Sequence, residues 1–165
     1  ASFFQSVNPL FILLLAPFFS KLWVRLGEAQ KEPPSPIKFV MGLGLLAIGF
    51  VVMIAAAAVY QQSGPVSVLW LLGAYFFHTM GELCLSPVGL SLVTKLAPAK
   101  FVSMLMATWF LANAAANLVG GLFAGNYDEM NHTLFYMVPT GTAIGAAVLL
   151  LLLTPKLRKL MHGVH

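Results

Sequence analysis

Four stretches of this chain, residues 1–20, 39–81, 101–127 and 130–155, contain no Lys, Arg, Asp or Glu. Each is apolar and reaches the roughly 20 helical residues needed to cross a hydrocarbon core about 30 Å thick. Backbone N–H and C=O groups cannot be left open in lipid, so such runs fold as membrane-spanning helices. The run 39–81 is too long for one crossing, and Gln61, Gln62, Ser63, Gly64 and Pro65 divide it with a turn composition. The sequence therefore predicts an all-α integral membrane fold with five spans near 2–25, 36–60, 67–96, 99–125 and 133–154. Only 8% of the residues are charged, against about 25% in a soluble domain, which excludes a water-facing globule.

The placement of the charges sets an expected orientation. Lys21, Arg25, Lys31 and Lys38 lie in or beside the first connection, Lys95 and Lys100 in the third, and Lys156, Arg158 and Lys159 after the last span. The second connection has no Lys or Arg, and the fourth carries only Asp128 and Glu129. All nine basic residues thus fall on alternating connections. The positive-inside rule makes those connections cytoplasmic. It predicts a polar, proline-rich cytoplasmic loop at about 27–36 and a cytoplasmic tail at 155–165. The chain starts inside an apolar run with no charged segment before it, so the expectation is an earlier span rather than a signal peptide. The small net charge of +4 points to no nucleic-acid partner. The single Cys84 allows no internal disulfide.

Against this apolar background the polar residues are informative. Glu82 is the one carboxylate inside a predicted span. A charge at that depth is costly and faces a cavity or a polar partner. It lies thirteen residues before Lys95, as Asn8 lies thirteen before Lys21, which puts both about 20 Å from the basic ends of their helices. Ser86 is nine residues before Lys95, and Trp109 nine after Lys100, so this pair shares a level about 13 Å from the same edge. His78, Glu82 and Ser86, spaced four apart, lie on one helix face. That face reads as a polar or proton pathway, or as a structural hydrogen-bonding stripe linking His78 to Glu82. Pro9, Pro17 and Pro87 remove ladder hydrogen bonds and are candidate breaks or gating points, since membrane carriers build midplane sites at such places. Small residues recur on the second span (Gly42, Gly44, Gly49) and the fourth (Ala114, Ala115, Ala116, Gly120, Gly121). They suit close helix packing, or a hinge. Trp23 and Trp70 are expected as interfacial anchors. The four His residues are scattered and no metal-site spacing is present. With no nucleotide motif either, energy for any transport would come from an ion gradient or another chain.

The run Gly81-Glu-Leu-Cys-Leu-Ser-Pro-Val-Gly-Leu-Ser91, followed by Thr94-Lys-Leu-Ala-Pro98, resembles the tenth helix of proton-dependent oligopeptide transporters of the major facilitator superfamily. Gln5-Ser-Val-Asn-Pro9, with Ala16-Pro17 downstream, is similar to their eighth helix, and Thr108-Trp-Phe-Leu-Ala-Asn113 to their eleventh. The resemblance implies helices eight to twelve, most of the C-terminal six-helix bundle. It implies proton-coupled symport of di- and tripeptides by alternating access across a plasma membrane, the bacterial inner membrane, with protons as coupling ion and no other cofactor. It implies that Glu82 receives the peptide amino terminus, that Asn8 contacts the peptide backbone, and that Ser86 and Trp109 line the site. It further implies partners in an N-terminal bundle and a seventh helix, so this chain alone is not expected to transport.

Other readings stay open at this point. The chain would also suit a drug, nitrate or amino-acid carrier of the same superfamily, or a non-transporting truncated scaffold. A membrane-embedded enzyme using Glu82 and His78 as acid and base lacks a second carboxylate, a nucleophile and a metal set, so a non-enzyme is expected.

Overall fold

In a computed structural model, which describes residues 6–161, the apolar runs form five long helices. They are α1 (Val7–Glu28), α2 (Ser35–Ser63), α3 (Leu69–Leu96), α4 (Val102–Ala124, entered through a 3₁₀ turn at Ala99–Phe101) and α5 (His132–Leu160). All five are long and apolar enough to cross a membrane. The 28- and 29-residue helices measure about 43 Å at 1.5 Å per residue. They exceed the hydrocarbon thickness and must tilt or project beyond it.

Local chemistry sets the ends. α1 continues into the expected loop as far as Glu28, then closes with Gln30 N–H donating to the Gly27 carbonyl at 3.0 Å and Lys31 N–H to Leu26 at 2.8 Å. This paired closure puts Gln30 in the left-handed region, φ 54°, where glycine is the favoured residue. Gln30→Gly is expected to stabilise the protein by about 1 kcal/mol. A lowered melting temperature would contradict that. α2 begins at Ser35, with Pro36 in its first turn, where a missing N–H costs nothing. α2 stops at Gly64, φ 80°. α5 starts on Asn131, whose side chain accepts from Thr133 N–H at 2.9 Å. Gln61 donates to Asn131 Oδ1 at 3.2 Å, tying the end of α2 to the start of α5. α5 runs six residues past the expected boundary at 154, so part of the predicted tail is helical. Lys156, Arg158 and Lys159 remain compatible with helix there because cations favour the negative end of a helix.

α3 is the shared element: α1, α2 and α4 each pack against it, while α5 packs on the far side of α2. Glycines bring α2 and α3 into close contact. A Cβ built on Gly81 would stand 2.7 Å from the Gly42 carbonyl oxygen, and one on Gly42 would stand 2.9 Å from that of Gly81. Only hydrogen at both positions lets the backbones meet this closely. Gly44, by contrast, faces open space, as do Gly120 and Gly121 on α4. The small-residue stripe of α4 therefore meets no packing partner among the described residues. Thr79 and Cys84, the most fully enclosed side chains, lie on α3.

Candidate functional site

Asn8 and Glu82, matched in depth by sequence, meet. Asn8 enters from the first turn of α1 and its Nδ2 donates to Glu82 Oε2 on α3 at 3.0 Å. The other end of the same amide is also fixed: Thr79 Oγ1 donates to Asn8 Oδ1 at 2.5 Å and lies 2.8 Å from the Tyr75 carbonyl oxygen, one helical turn back. A hydroxyl carries one hydrogen, so these two acceptors share it. Thr79 is wholly buried. It holds Asn8 from behind while Asn8 orients the carboxylate. Thr79 is not among the sequence candidates, although it lies three residues before Glu82 and thus on the same helix face.

The carboxylate opens on a cavity of about 280 Å³ lined by Asn8, Leu46, Tyr75, His78, Glu82 and Ser86, together with Gly81 and Leu85. His78, Glu82 and Ser86 do share a face, as their spacing predicts. The link from His78 to Glu82 is not made. The imidazole packs on Phe50 at 4.6 Å between ring centres, and its Nε2 is buried without a partner among the described residues. It fits because Gly49 carries no side chain: a Cβ there would overlap the ring. Tyr75, like Thr79, joins the site unannounced by the sequence reading.

Trp109 is placed differently from its sequence expectation. Its indole lies over Gly89, where any Cβ would clash with the ring, and not at the level of Ser86. It lines a separate apolar cavity of about 420 Å³ with Leu92, Leu96, Leu105 and Ala112. Gly89 is seven residues beyond Glu82, so the ring sits about 10 Å further along the same face of α3. A residue count fixes the height of a Cα. It does not fix the direction of a long side chain.

The prolines also differ from expectation in effect. α1 and α3 continue through Pro17 and Pro87 without a break. Pro9 stands in the first turn of α1 as described, where its missing N–H costs no ladder bond. Residues 2–5 of the predicted first span lie outside the described residues. Among the described residues no cluster of His, Cys, Asp and Glu could hold a metal ion.

The model of the POT family matches residues 1–142. The chain belongs to the POT family. Its similarity to POT proteins of known description extends along nearly its whole length. It is 44% identical over 98% of its length to the peptide transporter YePEPT of Yersinia enterocolitica, covering 33% of that protein. It is 37% identical over 98% of its length to a di-/tripeptide transporter of Lactococcus lactis, covering 32% of it. The crystal structure of a peptide transporter POT in complex with sulfate superposes with a TM-score of 0.84 at 42% identity, over 96% of this chain and 32% of that one. The chain thus spans about a third of the length of the relatives it matches. POT membership makes it an integral membrane protein of the all-α major facilitator type.

Proposed function

We propose that this chain forms helices eight to twelve of a proton-coupled di- and tripeptide symporter working by alternating access, and supplies one wall of its substrate cleft. The observation that carries the reading is the Glu82 carboxylate, held by Asn8 and Thr79 on the edge of a cavity within the helix bundle. A carboxylate in a low-dielectric cavity attracts an ammonium group strongly. It therefore suits the amino terminus of a peptide, and can exchange that cation for a proton. Asn8 presents an amide to the peptide backbone, and Ser86 a hydroxyl to the same space. Trp109, one level further on, bounds the cleft towards the basic end. His78, on the face of Glu82, extends the polar route. Pro17 and Pro87, each inside its helix, mark where α1 and α3 bend during the cycle. The alternating basic connections support a cytoplasmic C-terminus, and the bacterial relatives support a bacterial inner-membrane setting. The opposite wall, the peptide-carboxylate site and the coupling machinery belong to an N-terminal bundle and a seventh helix.

The test is uptake of a labelled dipeptide by the full-length protein in proteoliposomes under an imposed inward proton gradient. Unlabelled di- and tripeptides are expected to compete, and free amino acids, nitrate and cationic drugs are not. Competition by the latter classes alone would assign a different carrier. Asn8→Ala is expected to raise KM by up to about tenfold with a smaller change in kcat. It removes one neutral hydrogen bond to the peptide backbone, worth about 0.5–1.5 kcal/mol, and leaves the carboxylate in place. An unchanged KM would remove Asn8 from the site.

A further inference from the structure

A second polar cavity, of about 160 Å³, lies at the basic end of the bundle, where the ends of α1 and α3 meet the start of α2. It shares no lining residue with the Glu82 cavity. Its polar lining is dominated by donors: the Trp23 indole, the Ser35 and Ser91 hydroxyls, and the Lys38 and Lys95 ammonium groups. Glu32 supplies the one carboxylate of that lining.

Lys38 is only 6% exposed, unusual for a lysine. It is ion-paired with Glu32, and its ammonium lies 4.7 Å from the centre of the Trp23 ring. An ammonium has three N–H groups, so this pairing leaves donor capacity. The Trp23 indole N–H is buried and has no acceptor among the described residues. A buried donor without an acceptor is costly, and one lining a donor-rich cavity points to an acceptor-rich occupant. The lining carries two lysines and one glutamate, so basic groups outnumber acidic ones and favour an anion. Basic pockets between membrane helices at the interface are suited to phosphate head groups.

We propose that this cavity binds a phosphate-bearing anion, delivered as the head group of an anionic phospholipid or as free phosphate. Glu32 holds Lys38 over Trp23 and keeps the site from being overly cationic. The indole N–H and the two hydroxyls contact the phosphate oxygens. Occupancy would pin α1 to the α2 and α3 ends.

The test is native mass spectrometry of the full-length protein in neutral detergent, titrated separately with phosphatidylglycerol, phosphatidylcholine and inorganic phosphate. Trp23→Phe, which keeps an aromatic ring under Lys38 and removes the donor, is compared with Ser35→Ala/Ser91→Ala. These variants leave the Lys38–Glu32 pair intact and so avoid an unpaired buried charge. Phosphatidylglycerol retained in preference to phosphatidylcholine, and weakened roughly tenfold by Trp23→Phe, supports the site with a lipid head group as source. Displacement of that lipid by inorganic phosphate, or binding of phosphate alone with the same sensitivity to Trp23→Phe, supports it with free phosphate as source. Equal retention of both lipids with no effect of either variant, and no phosphate binding, would overturn the proposal and leave water as the occupant.

Discussion

Glu82→Gln in the full-length protein is expected to lower kcat/KM for proton-driven dipeptide uptake by at least about a hundredfold. Glutamine keeps the shape of the side chain, and its carbonyl oxygen still accepts the hydrogen bond that Asn8 donates at 3.0 Å. What it loses is the charge. Removing one member of a desolvated charge pair costs about 2–5 kcal/mol, or some two to three orders of magnitude in affinity for a cationic group. Because the Asn8–Thr79 arrangement survives, the melting temperature should move little. That separates loss of function from loss of fold. Glu82→Asp tests position as well as charge: the shortened carboxylate withdraws from Asn8, and partial activity is expected. Normal uptake by Glu82→Gln would detach the buried carboxylate from the transport cycle.

The second large effect is expected at the helix crossing beside that carboxylate. Gly81→Val puts a branched Cβ 2.7 Å from the Gly42 carbonyl oxygen and 3.3 Å from the Leu46 backbone nitrogen. Neither obstacle is a side chain that can turn away, so α2 and α3 must separate. Overpacking of this kind costs about 3 kcal/mol. Glu82 is the next residue, so the same separation pulls the carboxylate off Asn8, and stability and uptake should fall together. Gly44→Val is the matched control. It makes a similar substitution on a crossing helix, but at a position where an added Cβ meets nothing within 4 Å. The expected result is a drop of several degrees in melting temperature for Gly81→Val and little change for Gly44→Val. Equal behaviour of the two would show that the close approach is not what holds the pair together.

These two predictions mark how far the sequence could be read. Five spans and the matched depth of Asn8 and Glu82 follow from charge-free length and from counting back to lysines, because a bilayer imposes one thickness on every helix. Rotation about each helix axis is not set by that thickness. Gly42 and Gly44 are two residues apart among similar apolar neighbours, and only the rotation of α2 puts one against α3 and the other in open space. Trp109 was given the right helix and nearly the right height, yet its ring bears on Gly89. Thr79 carries no sequence signal of its role, because a threonine can satisfy itself by bonding back along its own helix, which hides a partner on another one. Lys38 reads as a loop charge because lysine is almost never buried unless paired. Its pairing with Glu32 and its seat on Trp23 depend on how the first connection folds back. The extension of α1 from 25 to 28 and of α5 from 154 to 160 has a related cause: basic residues are tolerated in a last turn, so charge alone does not end a helix.

The single hydrogen of Thr79 has one further consequence. Two oxygens lie within its reach, at 2.5 and 2.8 Å, and it can satisfy only one at a time. Retreating to the Tyr75 carbonyl keeps the hydroxyl bonded when Asn8 moves away. α1 can thus shift against α3 without stranding a buried donor. Thr79→Val would strip out this two-way bonding, and Thr79→Ser would keep it.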